Sequence, residues 1–212
     1  MSNETNKELK SIWTPANVIT CVRIVFIPVF MIISALSHVR VADTDWGIYD
    51  GPLAAAAFIL YMTLSLTDKL DGYLARSRNE ITDFGKFLDP IADKLLVFSA
   101  LLLFLDFGAI TVWSVFIILF RELLVSALRM VASAAGVVVA ADKLGKWKTA
   151  TTMVSICGYL LTFALSGLNL VSAPFLVGLF SLSRALMLIA VVLTVVSGAQ
   201  YFWNCRKIVF SV

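Results

Sequence analysis

Six apolar stretches, roughly residues 17–37, 53–75, 86–105, 109–131, 149–168 and 174–203, occupy most of this 212-residue chain. A bilayer core about 30 Å thick is crossed by about 20 apolar helical residues, and each stretch is about that long or longer. The expected fold is therefore all-α: an integral membrane bundle of six transmembrane helices. Composition agrees, with 60% hydrophobic and 15% charged residues and a mean hydropathy of +0.92, against about 45–50% apolar and about 25% charged in a soluble domain. The stretches leave no room for a separate soluble domain, so residues 1–212 read as one membrane domain. Its first 15 residues are polar, and Leu9, Ile12 and Trp13 there suit a segment lying along the membrane surface.

Several function classes drop out early. The run after the polar start lacks a small-residue cleavage site, so the first span is expected to be retained. Cys21, Cys157 and Cys205 are isolated and match no disulfide, metal or redox spacing. A net charge of +3 without a basic block gives no support for nucleic acid. No internal repeat is evident.

The placement of the cations orients the bundle. Lys7, Lys10, Arg76, Arg78, Lys86, Lys143, Lys146, Lys148, Arg206 and Lys207 flank one set of span ends, whereas the other set has Arg40 and His38. Positive charge stays inside, so both termini are expected in the cytoplasm. His38, the only histidine, then falls on the far side and is not expected to be a general base. The acidic loop "DTDWGIYDG" beside it reads as a solvated turn. Trp113 and Trp203, near span ends, read as interface anchors, and Arg184 is expected toward the outer face.

Between the second and third spans runs "DKLDGYLARSRNEITDFGKFLDPIADK". Asp68 and Asp71 are three residues apart and Asp89 and Asp93 four, so each pair shares one helix face. Counted at 1.5 Å per residue, the two pairs lie about 7.5 and 9 Å inside the hairpin's end. Four carboxylates gathered at the cytoplasmic boundary would repel one another and resist desolvation unless cations lay between them. All-oxygen ligation suits Mg²⁺, Mn²⁺ or Ca²⁺, and Mg²⁺ commonly completes its shell with water and substrate phosphates. Gly72, Ala75 and Gly85 let backbones or a ligand approach closely. Glu80 and Asp83 are assigned to the loop, and Lys69 and Lys94 to charge balance.

Asp68, Asp71, Gly72, Ala75, Arg76, Gly85, Asp89 and Asp93 reproduce D-x-x-D-G-x-x-A-R-x8-G-x3-D-x3-D, and in this the chain resembles the CDP-alcohol phosphotransferase family. "NVITCVRIVFIPVF", "GKFLDPIADKLLV", "RELLVSALR" and "LGKWKTATTM" are similar to segments of the bacterial branch that makes phosphatidylglycerophosphate. The resemblance implies a multi-pass enzyme of the cell membrane that moves a phosphatidyl group from CDP-diacylglycerol to an alcohol, releasing CMP at the cytoplasmic face. It implies that Asp68, Asp71 and Asp89 hold one or two Mg²⁺ ions, and that Asp93 joins the second metal and acts as base. Gly72, Ala75, Arg76 and Gly85 would border the CDP-diacylglycerol, as would Asn17, Val18, Ile19 and Thr20 of the first span and Thr82 of the loop.

The acceptor is read from the remaining cations. Arg23, Arg121, Arg129, Lys146 and Lys148 lie on, or reach toward, the side of the carboxylates, and cations beside a metal site call for an anionic partner. An acceptor phosphate supplies it, which favours sn-glycerol 3-phosphate. Another acceptor within the family, as in phosphatidylinositol phosphate or cardiolipin synthesis, is the alternative, and a divalent-cation transporter is a more remote one. Membrane lipids are expected partners, and the sequence leaves a homodimer open.

Overall fold

The computed structural model describes residues 14–39, 48–77, 83–134 and 143–209. At 16, 68–77, 83, 86–87, 133–134, 205 and 207–209 it describes the backbone alone. Six helices make up nearly all of it: α1 (Pro15–Ser37), α2 (Gly51–Ser77), α3 (Asp83–Asp106), α4 (Val112–Ala134), α5 (Lys143–Gly167) and α6 (Ala173–Val209). The expected all-helical architecture is observed. A two-residue antiparallel ribbon, β1 (His38–Val39) on β2 (Ile48–Tyr49), ties the end of α1 to the start of α2.

Local chemistry sets the helix ends. Thr14 caps α1, its hydroxyl accepting from the backbone N–H of Asn17 at 3.3 Å, and Pro15 occupies the first turn, where its missing N–H is harmless. Asp50 caps α2 by accepting from the Leu53 N–H at 3.0 Å. Gly108, at φ 76°, lets the chain leave α3 in a left-handed turn, and Thr111 then accepts from the Ser114 N–H at the start of α4. Of the acidic loop, residues 43–47 lie outside the described residues; Ile48 and Tyr49 form the ribbon strand and Asp50 the cap.

The helices close into a ring in the order α1, α2, α5, α6, α4, α3, with α3 returning to α1. Contact is thinnest where α3 meets α4, and α1 packs far more extensively on α2 and on α3 than those two pack on each other. The hairpin read from sequence is thus bridged by α1. Its core is filled by Phe30, Tyr61, Leu101, Phe104, Ile118 and Tyr159, all fully buried.

One end of the ring is locked by aromatics. Tyr49 stacks on Phe163 at 4.3 Å, His38 on Phe107 at 4.3 Å, and Phe104 lies 5.1 Å from Tyr159. This end sits at the start of α2 and the finish of α3, about 27 Å along α3 from Asp89. His38 is therefore remote from the carboxylates, as expected. The backbones of Gly51 and Gly167 meet here, and a Cβ on Gly51 would come 2.6 Å from the Gly167 carbonyl carbon.

Large apolar side chains cover the outside of the ring, among them Val25, Leu36, Ile59, Phe116, Val192 and Trp113. So wide an apolar exterior suits lipid and not water. Among the described residues three helical stretches are long and apolar enough to cross a bilayer by length and composition: Asn17–Ser37, Lys143–Gly167 and Ala173–Asn204. The apolar part of α2, Gly51–Thr67, is shorter. In α3 the apolar run is interrupted by Asp89, Asp93 and Lys94, and in α4 by Arg121, Glu122 and Arg129. The chain is a membrane protein with several apolar helices. Trp113 and Trp203 are exposed, and the Arg206 guanidinium lies 3.8 Å from the centre of the Trp203 ring.

The Gly51–Gly167 crossing gives a direct test. Gly51→Val should cost about 1–3 kcal/mol through overpacking, a fall of several degrees in the melting temperature measured in detergent. A variant melting like the wild type would show that the two backbones do not meet.

Candidate active site

The carboxylate face of α3 is met by α1. Asn17, Thr20 and Arg23 recur every three residues along one side of α1, and all are buried. The Thr20 hydroxyl donates to Asp89 Oδ1 at 2.9 Å, and Arg23 Nη1 donates to Asp93 Oδ1 at 3.3 Å. Arg23 is only 1% exposed, whereas the Asp93 side chain is 50% exposed. Burial of a guanidinium is tolerable because a carboxylate meets it. Arg23 was expected at an acceptor phosphate; the structure sets it on Asp93.

Pro90 follows Asp89 inside α3. Lacking an N–H, it removes the helical hydrogen bond to the carbonyl of residue 86, in the turn that leads into Asp89. Gly85, one turn before Asp89, is buried. Of the other motif positions, Asp68, Asp71, Gly72, Ala75 and Arg76 lie on the final turns of α2, where the backbone alone is described, and Thr82 lies outside the described residues. Among the described residues no three acidic, histidine or cysteine side chains gather. Asp89 and Asp93 contribute carboxylate oxygens, with Thr20 fixing one of them, and this donor chemistry fits a hard divalent cation.

A second polar cluster lies where α3, α4, α5 and α6 meet. Glu122 Oε1 accepts from Lys148 Nζ at 2.5 Å and from Arg121 Nη1 at 3.2 Å. Arg121 Nη2 reaches across to the Ser197 hydroxyl at 3.2 Å. The Ser126 hydroxyl donates to the Glu122 carbonyl at 2.7 Å and accepts from Lys94 Nζ of α3. Space for Arg121 comes from two glycines: a Cβ on Gly198 would lie 3.0 Å from Arg121 Cγ, and one on Gly145 3.3 Å from Nη2.

The expected site residues divide accordingly. Thr20, Arg23, Asp89 and Asp93 come together, and Arg121 joins Lys148. Lys146 and Arg129 are exposed and stand outside the second cluster. Lys146 precedes Lys148 by two residues, about 200° around the helix. Val18 stands in the same relation to Thr20 and is 39% exposed, while Ile19 is part-buried. Two residues stand outside the site expected from the sequence: Glu122, next to Arg121 in the chain, and Lys94, set aside as charge balance. An acid at the middle of an apolar span was the available signal. Arg184, as expected, is elsewhere; with Ser114, Tyr159 and Ile110 it lines a cavity of about 260 Å³ beside the turn joining α3 to α4.

Lys148→Met would leave Glu122 with one cation fewer in a poorly hydrated place. We expect a loss of about 1–3 kcal/mol, read as a lower melting temperature in detergent. Lys146→Met should melt within a degree or so of the wild type, and an equal loss in both would deny Lys148 its special place.

Known proteins resemble this chain over most of its length. Residues 13–196 match the family described as CDP-alcohol phosphatidyltransferase. A Bacillus subtilis protein named CDP-diacylglycerol--glycerol-3-phosphate 3-phosphatidyltransferase is 42% identical over 90% of this chain and 96% of its own. A Rickettsia bellii protein of the same name is 35% identical over 85% of this chain and 96% of its own. A Mycobacterium tuberculosis protein named probable phosphatidylglycerophosphate synthase is 36% identical over 88% and 78% respectively.

Proposed function

The chain belongs to the CDP-alcohol phosphatidyltransferase family, and on that premise we propose that it transfers a phosphatidyl group from CDP-diacylglycerol to sn-glycerol 3-phosphate, giving phosphatidylglycerophosphate and CMP. The observation that carries the acceptor is the excess of cations at the second cluster, where Arg121 and Lys148 meet the single carboxylate of Glu122 and Lys94 reaches the same turn of α4. A phosphorylated alcohol suits that surplus; a neutral one does not. The names of the relatives point the same way.

In this reading Asp68, Asp71, Asp89 and Asp93 hold Mg²⁺, with Mn²⁺ as the alternative, which when bound neutralises charge on the departing CMP. Thr20 keeps the Asp89 carboxylate in one orientation through its hydrogen bond. Gly72, Ala75, Arg76 and Gly85, with Asn17, Ile19 and Thr82, border the nucleotide and its lipid. Asp93 takes the proton of the acceptor hydroxyl as the new O–P bond forms and the bond to CMP breaks, and Arg23 steadies that carboxylate from behind. Arg121 and Lys148 hold the acceptor phosphate, so both reactants are fixed before reaction.

The proposed topology is one membrane domain over residues 1–212 that spans the bilayer six times, with both termini and the aspartates facing the cytoplasm. The surplus of Lys and Arg at that set of span ends supports it. In a variant stripped of its native cysteines, Glu80→Cys should react with a membrane-impermeant thiol reagent in inverted vesicles and resist it in intact cells. The opposite pattern would invert the topology.

Catalysis is tested by CMP release in detergent with a panel of acceptor alcohols. Glycerol 3-phosphate should be turned over and glycerol or inositol not; turnover of another alcohol alone would reassign the acceptor. Asp93→Asn should lower kcat by about 10²–10⁴-fold with the KM for CDP-diacylglycerol nearly unchanged. Asp89→Asn should instead raise the Mg²⁺ concentration needed for half-maximal rate, and an unaltered metal titration would remove it from the ligand set.

A further inference from the structure

Glu122 does more in this structure than neutralise a neighbour. One of its oxygens receives both the Lys148 ammonium of α5 and the Arg121 guanidinium of α4. Its backbone carbonyl receives Ser126, which in turn holds the Lys94 ammonium of α3. Three helices therefore deliver three cations to one turn of α4, and Arg121 extends the junction to α6 through Ser197. Lys148 is 4% exposed and Arg121 13%, so neither can roam in search of another anion.

Among the described residues the charges of this cluster do not balance. Glu122 contributes one negative charge against the three positive charges of Lys94, Arg121 and Lys148, leaving two positive. Lys94 directly follows Asp93 in the chain, so this surplus begins beside the residue assigned to proton transfer. A phosphate monoester carries nearly two negative charges near neutral pH. Arg121 Nε, buried and without a hydrogen-bond partner among the described residues, is a further donor that the protein's own groups leave unused.

We propose that Glu122 is a positioning residue that sets the acceptor's charge class: it clamps Lys148 to Arg121 across α4 and α5 and trims the cluster to the charge of one phosphate monoester dianion. This rests on the phosphorylated-acceptor reading above. A carboxylate bound to both cations holds their donors at fixed separation, which a flexible lysine cannot do unaided. Without it the two cations repel each other, and the lysine ammonium moves off the phosphate's position.

The test is steady-state CMP release by the full-length protein in detergent, with glycerol 3-phosphate varied at saturating CDP-diacylglycerol. Glu122→Gln, which keeps the shape and removes the charge, should raise the KM for glycerol 3-phosphate tenfold or more while kcat falls less than threefold. The KM for CDP-diacylglycerol should stay within twofold. Glu122→Asp, which restores the charge, should bring the acceptor KM back at least threefold from the Gln value. A merely structural role would instead lower kcat and folded yield without moving the acceptor KM, and that result overturns the proposal. So does an Asp variant no better than Gln. If Glu122→Gln does not fold, the double variant Glu122→Gln with Lys148→Gln removes the pair together. Its acceptor KM should then lie within threefold of that of Lys148→Gln alone, since the clamp has nothing left to hold; a KM tenfold or more above it overturns the proposal. Wild-type protein that ignores glycerol 3-phosphate but uses an unphosphorylated alcohol would instead sink the acceptor reading itself, whatever Glu122 does.

Discussion

The constraint on which this molecule depends is the free energy of holding charge in an apolar bundle. An ion removed from water must find a partner of opposite sign or be lost from the structure. Arg23, almost completely buried, is tolerable because Asp93 meets it. Lys148 is tolerable because Glu122 meets it. Each of these contacts joins different helices: α1 to α3 in the first case, α4 to α5 in the second. The same electrostatic requirement that makes the charges costly therefore also fixes how the helices stand against one another.

The two ends of the ring are built from different materials. At the Tyr49 end, stacked aromatic rings and a glycine-to-glycine crossing pack the backbones tightly. Such contacts are short-ranged and tolerate little change in volume. At the other end α1 meets α3 through polar contacts, Thr20 to Asp89 and Arg23 to Asp93.

The α3 carboxylate pair was legible in the sequence because four-residue spacing survives folding: Asp89 and Asp93 share a helix face whatever surrounds them. Helical character followed equally from length and hydropathy. The partners were not legible, since they depend on the order of helices around the ring. Nothing in "LGKWKTATTM" says that Lys148, rather than Lys146, will meet an acid; that follows only once α5 stands beside α4 and α6, turning positions two residues apart to opposite sides. Arg23 likewise looked like a free cation until α1 was seen to lie against α3. Glu122 is the instructive omission. Beside Arg121 it resembled a local neutralising pair, yet its side chain joins that arginine to a lysine 26 residues away.

Separation of the two clusters also bears on the chemistry. Carboxylates dominate where α1 meets α3, and cations dominate where α4 meets α5. If one polar pocket held both sets, Lys148 and Arg121 would neutralise Asp89 and Asp93, and neither a metal nor a phosphate would have reason to bind. Arg23 on Asp93 and Lys148 on Glu122 instead give each buried cation a carboxylate of its own. Glu122 holds both basic groups on one carboxylate oxygen. In a medium of low dielectric, opposite charges left loose collapse onto one another. Local pairing of this kind is how the bundle holds buried charge.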